Sequence, residues 1–248
     1  MTKFLNPTID DFSISLKDEH KDIQELARDF ANNEIGPIAN KIDAEDHIPD
    51  SLIQKMSELG FLGVPYPTEY GGIGMDYLSM AIVIEELARV SCAVSVIPVA
   101  HTLITMPLTS FGTEEQKQRF LIPLAKGEKI GAHAMTEPGA GSDPAGISTR
   151  ATKDGDDWVI NGTKAWCTNG DIANTFLIFA RTSDEKKRHM GMSAFIIERE
   201  TPGFTVGNPL PKTGIRGSKS VELILEDVKV PHFNILGEEG RGFYVAMD

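Results

Sequence analysis

The chain has 248 residues, 41% of them hydrophobic and 24% charged, with a formal net charge of −12. That composition fits a soluble globular protein of one large or two ordinary domains. The acidity argues against nucleic acid and against an anionic membrane surface, both of which need a basic face, but it leaves room for a small phosphate-bearing ligand held by a few local cations and N–H groups.

The first half reads as helical. The segment Met1–Pro7 has no apolar core of a signal peptide, and no stretch approaches the ~20 apolar residues of a membrane span. Ile23, Leu26, Ala27, Phe30 and Ala31 form one apolar stripe, and Pro37 is expected to end that helix. Asp50 is expected to cap a helix carrying Leu52, Ile53, Met56 and Leu59, with Gly60 in the left-handed position behind it. Pro65, Pro67, Gly71, Gly72 and Gly74 break residues 61–76 into a loop. Asp76 opens a helix with Tyr77, Met80, Ala81, Ile84, Leu87 and Ala88 inward. An apolar run from Val94 to Ile104 is interrupted by Pro98. Thr113 and Gln116 form a capping box for a helix that buries Phe120, Leu121, Leu124 and Ala125 and ends at Gly127.

After Gly127 the period becomes that of strands. Ala151–Ile160 and Thr163–Thr168 flank Asn161-Gly162, a hairpin signal, so the sequon there is read as a turn. Thr175–Arg181 and Met192–Glu198 have strand length, and Val221, Leu223 and Leu225 alternate with Glu222, Ile224 and Glu226. A small antiparallel barrel or sandwich is expected. Asp184–Arg188 reads as a solvated hairpin loop, and a helical pattern resumes at Gly240. Cys92 and Cys167 have no metal-ligand spacing and read as reduced core thiols of a cytoplasmic protein.

Two segments stand out chemically. Met135–Asp143 is glycine-rich and follows a strand. Its Gly139-Ala140-Gly141 imitates a dinucleotide loop, but Pro144 occupies the third glycine position and no helix signal follows. What remains is a turn whose N–H groups can face a phosphate or a ring edge. The second segment, Lys164–Gly170, contains Trp166, by composition more often a core residue. Thr168 offers a hydroxyl and an N–H at a strand end.

Together, Thr136-Glu137-Pro138-Gly139-x-Gly-Ser-Asp and Gly162-x-Lys-x-Trp-x-Thr-Asn-Gly resemble the acyl-CoA dehydrogenase family. Pro67–Gly72, Gly214–Ser218 and Glu226–Pro231 extend the match in order from about Ser15 to Met247. The resemblance implies an α+β multidomain architecture. A helical domain over 1–128 would precede a β-barrel flavin domain over 129–235, and residues 236–248 would begin a C-terminal four-helix bundle that is cut short.

It also implies FAD, contacted by His133, Met135, Thr136, Gly141, Ser142, Trp166, Cys167 and Thr168. Ser142, Ser95, Val96 and Val99 would face an acyl-CoA substrate. The reaction implied is α,β-dehydrogenation, with electrons passing to an electron-transfer flavoprotein and a homodimer or homotetramer as the assembly. The catalytic base would lie in the C-terminal bundle, outside this chain. Glu137 is read as structural, Glu69, Glu85 and Glu86 as loop or helix-surface residues, and Arg216 as either structural or ligand-facing. Other readings are an acyl-CoA oxidase, a flavin monooxygenase, or a non-catalytic fragment that keeps the fold. No metal site is expected.

Overall fold

The computed structural model describes residues 15–185 and 189–247. The Met1–Pro7 segment, Asp248 and Lys186–Arg188 of the charged loop lie outside that range.

Helix α1 (Asp18–Phe30) buries His20, Ile23, Ala27 and Phe30, the expected stripe, while Leu26 stays 40% exposed. Pro37 does not end the helical path. A π turn (Ala31–Ile35) and a 3-10 turn (Gly36–Ile38) lead into α2 (Ala39–Glu45). Pro37 sits in the first turn of the 3-10 segment, where a missing N–H costs nothing. Helix α3 (Asp50–Glu58) has Pro49, not Asp50, at its N-cap, and Gly60 behind it takes the left-handed conformation.

Helix α4 (Tyr77–Val90) is capped by Asp76, whose carboxylate accepts from Ser79 N at 2.9 Å. It buries Ser79, Met80, Ile82, Val83, Glu86 and Leu87, so the inward face is rotated from the expected one and Tyr77 is 56% exposed. The reason is that α4 packs against both α1 and α5 (Cys92–Phe111). Glu86 is buried between Arg28 and Arg89 rather than on the helix surface.

Pro98 and Pro107 are both absorbed inside α5. This helix has the length and the mean hydropathy, 1.5, of a bilayer span, yet it is 56% buried and packs on strand β1 (Gly131–Ala134). It is the central helix of the core. The capping box at Thr113 and Gln116 forms as expected at α6 (Glu114–Gln116), a π turn follows, and α7 (Ile122–Ala125) ends near Gly127 in a left-handed conformation.

The remaining strands are β2 (Arg150–Asp154), β3 (Asp157–Thr168), β4 (Thr175–Arg181), β5 (Met192–Glu198), β6 (Phe204–Pro209), β7 (Ser220–Pro231) and β8 (Ile235–Leu236). Helix α8 (Gly242–Met247) follows them. The sheet runs β6-β7-β3-β2-β4-β5-β8, with β1 paired to β4. It is open rather than a closed barrel, because β6 and β8 end the path without meeting. Nor is it purely antiparallel: β1 and β2 both run parallel to β4.

The expected hairpin at Asn161-Gly162 is also corrected. β3 runs straight through these residues, and the turn from β2 lies at Gly155-Asp156. Asn161 instead clamps a bulge: its side chain donates to Asp227 Oδ1 at 3.0 Å and accepts from Asp227 N at 2.8 Å.

One core cluster joins α1–α5 to the sheet, from Ile23 and Met56 through Ile97 to Phe176 and Val221. The helices and the sheet therefore share a core. Cys167 is buried as expected, but Cys92 is exposed at the start of α5.

Candidate functional site

Two backbone segments meet at the end of β1. Past Ala134 the chain leaves the sheet as Met135–Thr136 and makes a tight turn, in which Glu137 and Ala140 exchange backbone hydrogen bonds. This turn lies against β3. Ala165 N donates to Thr136 O at 2.8 Å, and Cys167 Sγ lies 3.6 Å from His133 O. The two chemically unusual segments of the sequence are thus side by side.

Beneath them sits a buried ion pair. Lys164 Nζ is 2.7 Å from Glu137 Oε1, with side chains 0% and 3% exposed. Glu137 also accepts from Ser148 N, Ser148 Oγ and Thr149 N at 2.6, 2.7 and 3.0 Å. Burial opposes the Glu137 charge, but the Lys164 ammonium and these donors outweigh it and hold the carboxyl down at about 2. Burial likewise lowers Lys164, to about 8, against the pull of Glu137. With its oxygens occupied, Glu137 has no free lone pair aimed at a ligand, in keeping with the structural role read for it.

Trp166 is not the core residue that composition alone favours. Lys164 pairs with Leu223 and Cys167 with Val221, so β3 carries one extra residue against β7. That bulge puts Trp166 at φ 58° and turns its ring outward, 57% exposed. A β-bulge re-aims a side chain that strict alternation would bury, and a left-handed tryptophan is rare enough to suggest a purpose. Cys167 returns to the core with its thiol, pushed up to about 12 by burial. It can offer a ligand only its backbone.

The other expected residues are placed as follows. Thr136 and Met135 are half-buried, with Met135 packed against a second buried apolar cluster that includes Leu177, Phe179 and Leu236. His133 is half-buried, its ring 5.0 Å from that of Phe179; burial first, and the Lys164 charge second, push it down to about 4. Gly141 and Ser142 are exposed, and a Cβ built on Gly139 or Gly141 would meet nothing within 4 Å. Thr168 is half-buried, its hydroxyl 3.3 Å from Ser220 Oγ.

Asn169 Nδ2 donates to Ile97 O at 2.9 Å and so ties the end of β3 to α5. This tethers the Ser95–Val99 turn of α5 to the residue that follows Thr168. Within that turn Ser95 is buried and its hydroxyl is bonded to Cys92 O, Val96 is half-buried, and Val99 is 39% exposed. Val96 and Val99 are therefore better placed than Ser95 to face a ligand. Arg216 reaches across to Ala44 O at 3.4 Å, a tie to the helical half.

Sequence reasoning assigned no role to Lys164 or Asn169, although both lie in the quoted motif. A lysine between inward-facing strand residues is the available signal, since a buried ammonium needs a carboxylate partner. A cluster of Glu19, His20 and Asp76 has ligand atoms within 4.8 Å of one another, but His20 and Ser79 engage Asp76, which caps α4. It is a helix-capping junction.

Comparisons with known proteins identify the family and the fold. A short-chain specific acyl-CoA dehydrogenase of Clostridium acetobutylicum is 47% identical over 238 residues, covering 96% of this chain and 62% of that protein. The solved butyryl-CoA dehydrogenase from Megasphaera elsdenii superposes with a TM-score of 0.92 at 41% identity, covering 95% of this chain and 63% of that one. A structure described as an FAD complex of PigA has a TM-score of 0.88 at 32% identity, covering 94% and 62%. The chain thus spans less than two thirds of the length of these relatives. A family model described as "Acyl-CoA dehydrogenase, N-terminal domain" matches residues 17–128, and one described as "Acyl-CoA dehydrogenase, middle domain" matches residues 132–228. The chain belongs to the acyl-CoA dehydrogenase family.

Proposed function

We propose that this chain forms the flavin-facing and acyl-facing part of an FAD-dependent acyl-CoA dehydrogenase. The observation that carries this reading is the outward Trp166 on its left-handed bulge, set beside Thr136 and close to Thr168. An exposed aromatic flanked by half-buried hydroxyls and strand-end N–H groups suits a planar, hydrogen-bonding ring system. The open turn at Gly139 and Gly141 leaves space for the rest of a large cofactor, so the residues present fit FAD.

In this reading Met135 and Thr136 donate to the pyrimidine edge of the ring, and Thr168 donates on the far side of Trp166. His133 stands behind them, and its low proton affinity keeps it neutral at pH 7, so it adds no charge to the site. Cys167 contributes only its backbone, and Ser142 marks the polar end shared with the CoA. Bound FAD would supply the acceptor for the β-hydrogen of the acyl chain as hydride. Oriented donors at that edge stabilise developing negative charge without reorganising.

Val96 and Val99 would line the acyl chain, with Ser95 bracing their turn. Glu137 is engaged by four donors and is not assigned as the base; in this reading the carboxylate that removes the α-proton belongs to the family's C-terminal helical bundle. We assign 1–128 as the helical domain, 129–235 as the flavin domain and 236–248 as the start of a further helical region. An electron-transfer flavoprotein is the acceptor, a homodimer or homotetramer the assembly, and the cytoplasm the location that fits this chemistry.

The test is an absorption spectrum of the purified chain titrated with FAD, followed by a panel of acyl-CoA thioesters. A perturbed bound-flavin spectrum supports the reading. Failure to bind FAD by this chain and also by a version extended to the full length of its relatives would overturn it. Oxygen uptake by the reduced extended protein would instead favour an oxidase.

A further inference from the structure

We propose that Glu137 and Lys164 are positioning residues: the pair fixes the Met135–Thr136 backbone against the Trp166 bulge and so shapes the ligand-facing edge before any ligand arrives. The proposal deepens the flavin reading and rests on it for the identity of the ligand.

The geometry is specific. Lys164 directly precedes the two bulge residues, and Glu137 directly follows Thr136. Their side chains meet at 2.7 Å, and Lys164 Nζ also reaches Met135 O at 3.4 Å. Between those two contacts lies the backbone bond from Ala165 N to Thr136 O at 2.8 Å. Three consecutive residues of one segment, Met135 to Glu137, are therefore fastened to two consecutive residues of the other. The far carboxylate oxygen, Oε2, takes two bonds from Ser148, while Oε1 adds one from Thr149. That anchors the fastener to the chain just before β2.

Fold stability alone is a weak reason to bury such a pair, because well-packed apolar residues of similar volume usually serve as well or better. Specificity is the better reason here, because the pair is wedged under the one point where β3 leaves its register to turn a tryptophan outward.

The test uses the full chain carrying E137Q and K164M together, which removes both charges and leaves neither stranded. Near-UV circular dichroism is recorded for this protein and for the same protein with W166F added. The difference isolates the Trp166 band, and a fixed tryptophan gives a strong one. The paired substitution is expected to reduce that band to less than half of its wild-type size while far-UV ellipticity and the unfolding midpoint stay close to wild type. FAD affinity should fall at least tenfold.

A Trp166 band of wild-type size in a folded double variant would overturn the proposal. Should the double variant not fold, E137D decides: it keeps the charge but shortens the reach, so a reduced band supports the proposal and an unchanged band overturns it. The dichroism readout needs no flavin. A wild-type protein that binds no FAD would therefore sink the flavin reading while leaving this proposal to be judged by the Trp166 band.

Discussion

Trp166 carries the strongest functional signal in the chain because it violates two local rules at once. It is a bulky residue at positive φ, and it is a large aromatic left in solvent. If its surroundings hold it there for a ligand, W166F should change the free energy of unfolding by less than about 0.5 kcal/mol, as for a surface substitution. The same change should remove the component of tryptophan fluorescence quenched during an FAD titration, since the other tryptophan, Trp158, is buried and bonded to His232. Equal quenching in the variant would sink the idea. Lys164 is the opposite case. K164M alone strands Glu137 as a buried carboxylate without its counter-ion, and removing one partner of such a pair costs about 3–5 kcal/mol. Urea denaturation should show that loss, and a loss below about 1 kcal/mol would mean that the site relaxes or admits water.

At the scale of elements, much of the fold is legible in the residues, and the misses share a cause. Thr175–Arg181 and Met192–Glu198 are strands with the bounds read from the sequence, and the Thr113–Gln116 box caps as its chemistry requires. These features depend on neighbours in sequence. The hairpin at Asn161-Gly162 failed because two turn signals compete. Gly155-Asp156 makes the actual turn, and cross-strand pairing with β7 turns the second signal into a bulge. The bulge that turns Trp166 outward escaped for the same reason, since a bulge is a property of two strands and only one is visible in its motif. The open sheet is likewise a matter of long-range pairing, decided by whether β6 meets β8. Of the site, the Thr136 and Trp166 motifs were legible, whereas the Asn169 tether to α5 was not.

Gly162 shows how strict the bulge is. Its φ is 152°, and a Cβ would lie 2.5 Å from Thr149 Oγ1 and 2.8 Å from Thr149 Cα. G162A should therefore cost about 1–3 kcal/mol in strain. It should also loosen the strand that leads to Lys164, seen as faster amide exchange over residues 162–168. Unchanged stability would mean that the bulge can shift register freely.

For the molecule as a whole, the shared core makes helices and sheet cooperate, and His101 is the residue where this is most exposed to pH. It is fully buried on α5, accepts from Gly131 N of β1 through Nδ1 at 3.0 Å, and donates from Nε2 to Leu124 O of α7 at 3.1 Å. Those two bonds define a neutral tautomer with the proton on Nε2. Burial lowers its pKa to about 4, while the unfolded chain titrates near ~6.5. As pH falls below ~6.5 the unfolded state takes up the proton first, so folding loses free energy. The contribution is complete above ~6.5 and is lost progressively down to about 4. At ~1.4 kcal/mol per pH unit the loss is roughly 3 kcal/mol across that window. His133, also pushed down to about 4, acts in the same direction. H101Q should lower stability at pH 7, because the β1 and α7 ties are disturbed. Between pH 6.5 and 4.5 it should also flatten the fall in stability to about half the wild-type slope, leaving the share of His133. Urea midpoints measured across that range decide the matter: a slope equal to wild type would show that His101 does not carry the acid sensitivity, and that the joint between α5, α7 and β1 tolerates a charge.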